Sequence, residues 1–287
     1  MHRIAALVVV SLAAVACSDD QPVEVGAADG RSPEEVLTGT ATVLESAEHG
    51  PQLCLGGVLD SLPPQCGGPD IVGWDWADAA GEESADGTTW GEYTVVGTYA
   101  NGVFTVTEPP RAPEPRDEPS QVSSDTPCPE PAGGWRVADA ATTTQATQDA
   151  TIAAAQVAAD FSGAWVDQSI NPVYADGELT DGEEGSVNDP TALILNLRFT
   201  GDVERHETEL RPLWGGSLCV SEGQFTEEEL LQIQQELDDR YDLLWSSGDT
   251  IGERVEVGVI VAEGLQAEVD ARYGEGVVHV QPALTPR

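Results

Sequence analysis

Between Glu108 and Gly134 the chain places Pro109, Pro110, Pro113, Pro115, Pro119, Pro127, Pro129 and Pro131 among mostly polar residues. Proline fixes φ and has no backbone N–H, so this stretch forms neither helix nor central strand. It reads as a semi-rigid linker over 108–134. The sequence on either side of it must therefore find its own pattern.

On the N-terminal side, 36–107 shows short strands broken by turns: Leu37 to Leu44, Leu53 to Leu59, Ile71 to Trp76, Glu92 to Tyr99, and Val103 to Val106. Asn101-Gly102 separates the last two. That dipeptide is a strong hairpin signal, because a type I′ turn needs positive φ at both central positions. The pattern predicts a small all-β barrel or sandwich, the oligonucleotide/oligosaccharide-binding barrel being one candidate. On the C-terminal side, 135–287 alternates helix and strand. Helices are predicted over Thr143 to Phe161, Val203 to Leu213, a stretch opened by the capping box of Thr226 and Glu229, and Leu265 to Tyr273. Strands are predicted over Leu193 to Phe199, Ser217 to Ser221, Val255 to Val261 and Gly276 to Val280. The order suits a ferredoxin-like α/β sandwich with one added helix. The expected fold class is α+β in two domains.

The first residues carry an address. Arg3 precedes the apolar run Ile4 to Ala16, interrupted only by Ser11 and ending at Cys17. The run is too short to span a bilayer, which takes about 20 apolar residues. A basic start, a short apolar core and small residues before a cut define a secretory signal. Ala14-Val15-Ala16-Cys17 resembles a lipobox, in which the cysteine sulfur is lipidated and the preceding bond is cleaved, so 1–16 is read as signal peptide. Residues 17–35 are too poor in apolar side chains to bury a core and read as a flexible tether. An ordinary signal peptide with an incidental cysteine is the alternative. Cys54, Cys66, Cys128 and Cys219 remain, an even set that in an exported chain reads as two disulfides. Of the three pairings, the spacing favours Cys54 with Cys66 and Cys128 with Cys219, each contributing about 3–5 kcal/mol in the chain-entropy picture.

Charge narrows the chemistry further. Twelve basic residues face fifty-one acidic ones, a formal net charge of −39, and every basic residue is arginine. Such a surface repels phosphate backbones and anionic headgroups, which disfavours nucleic-acid binding. Without lysine there is no phosphate-binding-loop lysine, no kinase lysine and no Schiff base. GC-rich coding bias explains the missing lysine more simply than function does, and points to an actinobacterium before a haloarchaeon.

Motifs for catalysis are mostly missing. His206-Glu207 begins like a zincin motif, but Leu210 stands where the second histidine belongs. Gly215-Gly216-Ser217-Leu218-Cys219 fails the nucleophile-elbow pattern at its last position. The cysteines have no C-x-x-C spacing, and no cofactor is implied. Asp176, Glu178, Asp181, Glu183, Glu184 and Asp189 lie in one glycine-containing stretch that could hold calcium, although Thr180 interrupts the ligand spacing and a solvated acidic loop is the simpler reading. Trp74, Trp76 and Trp90 lie near the Cys54–Cys66 span; they are candidates for a sugar-stacking platform and better candidates for core.

Pro51-Gln52-Leu53-Cys54-Leu55-Gly56, Pro63-Pro64-Gln65-Cys66-Gly67-Gly68-Pro69 and Trp74-Asp75-Trp76 resemble segments of uncharacterised actinobacterial exported lipoproteins, as do Phe199-Thr200-Gly201-Asp202, Leu210-Arg211 and Tyr273-Gly274. The resemblance implies export and a lipid anchor, with no activity attached. The expected function is a membrane-anchored envelope lipoprotein with a binding or scaffolding role, on the outer face of the cytoplasmic membrane. Its expected partners are the membrane, through the N-terminal lipid, and an envelope protein or wall component, with no nucleic acid. The rivals are an extracytoplasmic hydrolase using carboxylates and a calcium-binding module.

Overall fold

The computed structural model describes residues 35–114, 123–174 and 186–287. Cys17, and Asp176, Glu178, Asp181, Glu183 and Glu184 of the acidic stretch, lie outside the described residues; Asp189 lies inside and caps the turn Pro190–Ala192 through its carboxylate.

Five strands close into a barrel: β1 (Leu37–Glu45), β2 (Gln52–Cys54), β3 (Asp70–Val72), β5 (Thr88–Ala100) and β6 (Val103–Val106). β1 pairs β5 along its whole length, from Leu37 opposite Gly97 to Glu45 opposite Thr89. β2 joins β1 to β3, β3 runs parallel to β6, and β6 returns antiparallel to β5, so the ring is β1-β2-β3-β6-β5. The short strand β4 (Glu83–Ala85) extends β5 at its start. Strand alternation decides what fills the ring. Leu37, Ala41 and Val43 of β1 and Tyr93 and Val95 of β5 point inward to Leu53, Ile71 and Phe104, whereas Thr38, Thr40 and Thr42 take the outward positions. Asn101 and Gly102 have φ of 52° and 77°, as the hairpin pattern requires.

The rest of the chain repeats one arrangement twice. α1 (Gln145–Gln156), β7 (Phe161–Asp167), β8 (Ile194–Phe199), α2 (Val203–Leu210) and β9 (Ser217–Glu222) form the first unit. The second is α3 (Glu227–Arg240), β10 (Trp245–Asp249), β11 (Arg254–Val259), α4 (Leu265–Tyr273) and β12 (Val278–Pro282). In each, the first strand is antiparallel to the second and the second parallel to the third. The local devices match as well. α1 and α3 both open with a threonine capping box, at Thr144 and Thr226, and α2 and α4 both start after a left-handed residue, Asp202 and Gly264. The units differ mainly in the β7–β8 connection, where 168–193 in the first corresponds to 250–253 in the second.

This arrangement departs from the ferredoxin-like sandwich that the sequence suggests. The strands expected in one sheet are divided, β8 and β9 in one three-stranded sheet and β11 and β12 in another. The physical reason is β7 and β10: each occupies the free edge of the central strand, so the two parallel pairs do not join through β8 and β11.

Three apolar clusters sit in the barrel and under the two helix pairs. Ile260 and Val261, which follow β11, pack against the barrel cluster, and Leu284 is fully buried within it. The last strand, β13 (Thr285–Pro286), pairs with the start of β1. Gly39 makes this possible, since a Cβ there would press on the Ala283 carbonyl and the Leu284 side chain.

Both described ends of the proline-rich segment are bound. Arg111 and Thr94 exchange backbone hydrogen bonds at 3.1 Å. Beyond the gap, the Thr126 amide donates to Asp167 at 2.8 Å, the Thr126 hydroxyl to Asn196 at 2.7 Å, and the Trp165 indole to the Ser124 carbonyl at 3.1 Å. This strap covers the sheet face away from the helices, which is why Asp167 and Asn196 are buried with their polar groups satisfied. Cys128 is bonded to Cys219 of β9 and Cys54 to Cys66, the pairing that the spacing favours.

Candidate functional site: a cleft beside the barrel

The outward threonines of β1 form the floor of a cleft of about 1200 Å³ between the barrel and the second αββαβ unit. The register aligns Thr38 with Val96, Thr40 with Thr94 and Thr42 with Glu92, so one sheet face presents a row of hydroxyls. Leu55 and Val58, in the disulfide-closed span after β2, form one wall. Leu244, Trp245 and Gln281 form another, and Pro282, Ala283 and Thr285 near the C-terminus border it.

Some of these groups are committed to the fold. Thr40 and Thr94 share a hydrogen bond at 2.8 Å, Thr94 also accepts from the Glu114 amide at 2.9 Å, and Thr38 donates to the Val95 carbonyl at 3.1 Å. The Thr42 hydroxyl and the Trp245 indole N–H have no hydrogen-bond partner among the described residues. Trp245 sits opposite Gly258 across the β10–β11 pair, and a Cβ on Gly258 would collide with its ring, closest to the indole nitrogen. The missing side chain is what lets the indole lie close over the strand. Among the described residues the charged groups lining the cleft are Glu92 and Glu114, both acidic.

The structure does not gather the three tryptophans singled out in the sequence. Trp74 and Trp76 meet edge-on with ring centres 5.3 Å apart, and both lie against Tyr93, at 5.2 and 6.2 Å. The Trp76 indole donates to the Glu45 carboxylate at 2.5 Å. Tyr93 belongs to the barrel core, and Trp74 and Trp76 pack against it. Burial pushes the Tyr93 hydroxyl's pKa up, helped by the negative Glu82. Trp90 sits apart, on β5 between Leu44 of β1 and Glu83 of β4. Trp245, the tryptophan that does line the cleft, belongs to a short polar strand whose sequence Trp-Ser-Ser-Gly-Asp carries no apolar alternation.

A histidine–carboxylate pair lies outside the cleft. His206 of α2 places Nε2 2.8 Å from Asp160 and stacks on Phe199 with ring centres 3.6 Å apart. A carboxylate only accepts, so Nε2 carries the hydrogen of this bond, and the Arg205 guanidinium, 2.9 Å from the same nitrogen and itself only a donor, makes no hydrogen bond to it. That donation holds the Asp160 carboxyl below its usual range, and the nearby Arg205 guanidinium adds to it. No serine, threonine or cysteine side chain hydrogen-bonds to His206 among the described residues. The arrangement ties α2 to the end of the loop before β7.

No family model, curated protein or solved structure matches the chain. Its two disulfides suggest an extracytoplasmic, oxidising environment. No described helix is long and apolar enough to cross a membrane.

Proposed function

We propose that this chain is a lipid-anchored envelope lipoprotein, held through Cys17, that binds a wall component or envelope partner in the cleft beside its barrel. The observation that carries the reading is the cleft itself. It is larger than the roughly 300–1,000 Å³ of ordinary small-molecule sites, is floored by a regular row of hydroxyls, and is walled by residues from three separate parts of the chain. The strand order, with β3 parallel to β6 and the ring closed by β1 and β5, supports reading the barrel as the oligonucleotide/oligosaccharide-binding type. In this reading the tryptophan-bearing turn at Trp76–Asp78 closes the barrel between its third and fourth ring strands. The acidic composition and the absence of arginine from the described cleft lining favour a ligand other than nucleic acid.

Two experiments test this. Cys17→Ser is expected to move the protein from the membrane fraction to the medium; retention of the variant on membranes, with wild type found soluble and unlipidated, overturns the anchor. Photo-crosslinkers placed at Val58 and Gln281 are expected to capture envelope material in intact cells. Capture from distant surface positions, with none from these two, overturns the cleft as the binding site.

A further inference from the structure

The chemistry of the cleft points to a neutral glycan chain as its ligand, an inference that rests on the binding role just proposed. Charge sign comes first. Among the described residues the charged groups lining the cleft, Glu92 and Glu114, are acidic, Glu114 lying 3.4 Å from Arg111, and the chain's net charge of −39 adds to them, so anionic polymers are disfavoured.

Shape and bonding groups come next. A sugar ring offers hydroxyls at its rim and C–H groups on its faces, so it needs a surface that is polar on one side and apolar on another. The cleft has both, with Thr38, Thr40 and Thr42 on alternate positions of one strand, about 7 Å apart at each step, facing a wall that includes Leu244 and Trp245. The Thr42 hydroxyl and the Trp245 N–H, one on each side, are among the polar groups that the fold leaves for a ligand, with the Thr285 hydroxyl beside them. Gly258 leaves room for the indole to lie against the strand, so one face of the ring is already covered before a ligand arrives.

A peptide fits the site less well. Extended peptides gain most of their affinity by pairing with an open strand edge. Here β5 takes one edge of β1 along its whole length, and on the other edge β13 pairs Leu37 and Thr38 and β2 pairs Thr42 to Leu44, which leaves only 39–41 between them without a strand partner, too short a stretch for a peptide strand to add. The described lining also offers no arginine anchor of the kind that dominates protein interfaces.

The test uses the full-length lipidated protein in phosphatidylcholine nanodiscs, which avoids sugar-headed detergents. Calorimetric titration with neutral hexasaccharides (β-1,4-linked N-acetylglucosamine, β-glucan, mannan and arabinan), a hyaluronan hexamer as the anionic control, and a pool of neutral decapeptides separates the classes. The expected result is saturable binding of at least one neutral hexasaccharide, with hyaluronan weaker by about tenfold or more. Thr42→Val and Trp245→Leu, each with a melting temperature matching wild type, are expected to weaken it by about tenfold. If Trp245→Leu does not fold, the nearly isosteric Thr42→Val carries the test. No saturable binding by any neutral hexasaccharide, equal binding of hyaluronan, preferential binding of the peptides, or affinity unchanged in folded variants each overturns the proposal. Crosslinked capture at Val58 and Gln281 without oligosaccharide binding would leave the binding role intact and remove the glycan.

Discussion

His206 shows how one side chain can look catalytic and act structurally. Its side chain is 4% exposed, its ring is stacked on Phe199, and its Nε2–H is spent on Asp160. His206→Phe keeps the stack and deletes the hydrogen bond, and is expected to cost about 1 kcal/mol at neutral pH; His206→Ala also leaves a cavity and is expected to cost about 3 kcal/mol. The pH dependence follows from Asp160, whose folded pKa lies below its unfolded value. Its contribution is therefore fully present above the unfolded value, about 3.9, and is lost as pH falls through the lower folded value. The stability gap between wild type and His206→Phe, measured by urea titration, is expected to narrow below about pH 4. A gap that widens there would mean that Asp160 is not the group His206 stabilises.

At the scale of elements, the strap over the β7-β8-β9 sheet depends on a covalent bond that closes a separation of 91 residues. Replacing Cys128 and Cys219 together with serine is expected to cost about 4 kcal/mol, more than the loss of Cys54–Cys66 with its separation of 12. Hydrogen exchange is expected to rise at Thr126, whose amide rests on Asp167, before it rises in the barrel. Equal exchange in both places would show that the strap is held without the bond. Much at this scale was legible beforehand. The capping box at Thr226 forms as its spacing predicts, with the Thr226 amide 2.8 Å from the Glu229 carboxylate, and α4 begins and ends where the pattern places it. The strands β7 and β10 were not legible. Phe161 closes a predicted helix rather than opening a strand, and Trp245–Asp249 is mostly polar and partly exposed; neither Phe-Ser-Gly-Ala-Trp-Val-Asp nor Trp-Ser-Ser-Gly-Asp alternates apolar with polar residues, although β7 alternates in burial from Gly163 to Asp167.

For the whole molecule, the excess of acidic residues sets solubility and opposes compaction. Raising sodium chloride from about 10 mM to about 500 mM shortens the screening length severalfold and is expected to raise the melting temperature by about 2–4 °C, near 1 kcal/mol for a chain of this size. A fall would mean that the described ion pairs, such as Arg254 with Asp249 and Glu256, outweigh the self-repulsion. The sequence by itself determined the properties that depend on residue type or short spacing: net charge, the lipobox-like Cys17, a proline-rich stretch that forms neither helix nor central strand, the Asn101-Gly102 turn and the Thr226 helix cap. The cleft, the neighbourhood of Trp245 and Thr42, and the doubling of the αββαβ unit were decided only by tertiary structure. They depend on which strand edges meet across long sequence separations, and one residue's side chain carries no record of the partner that covers it.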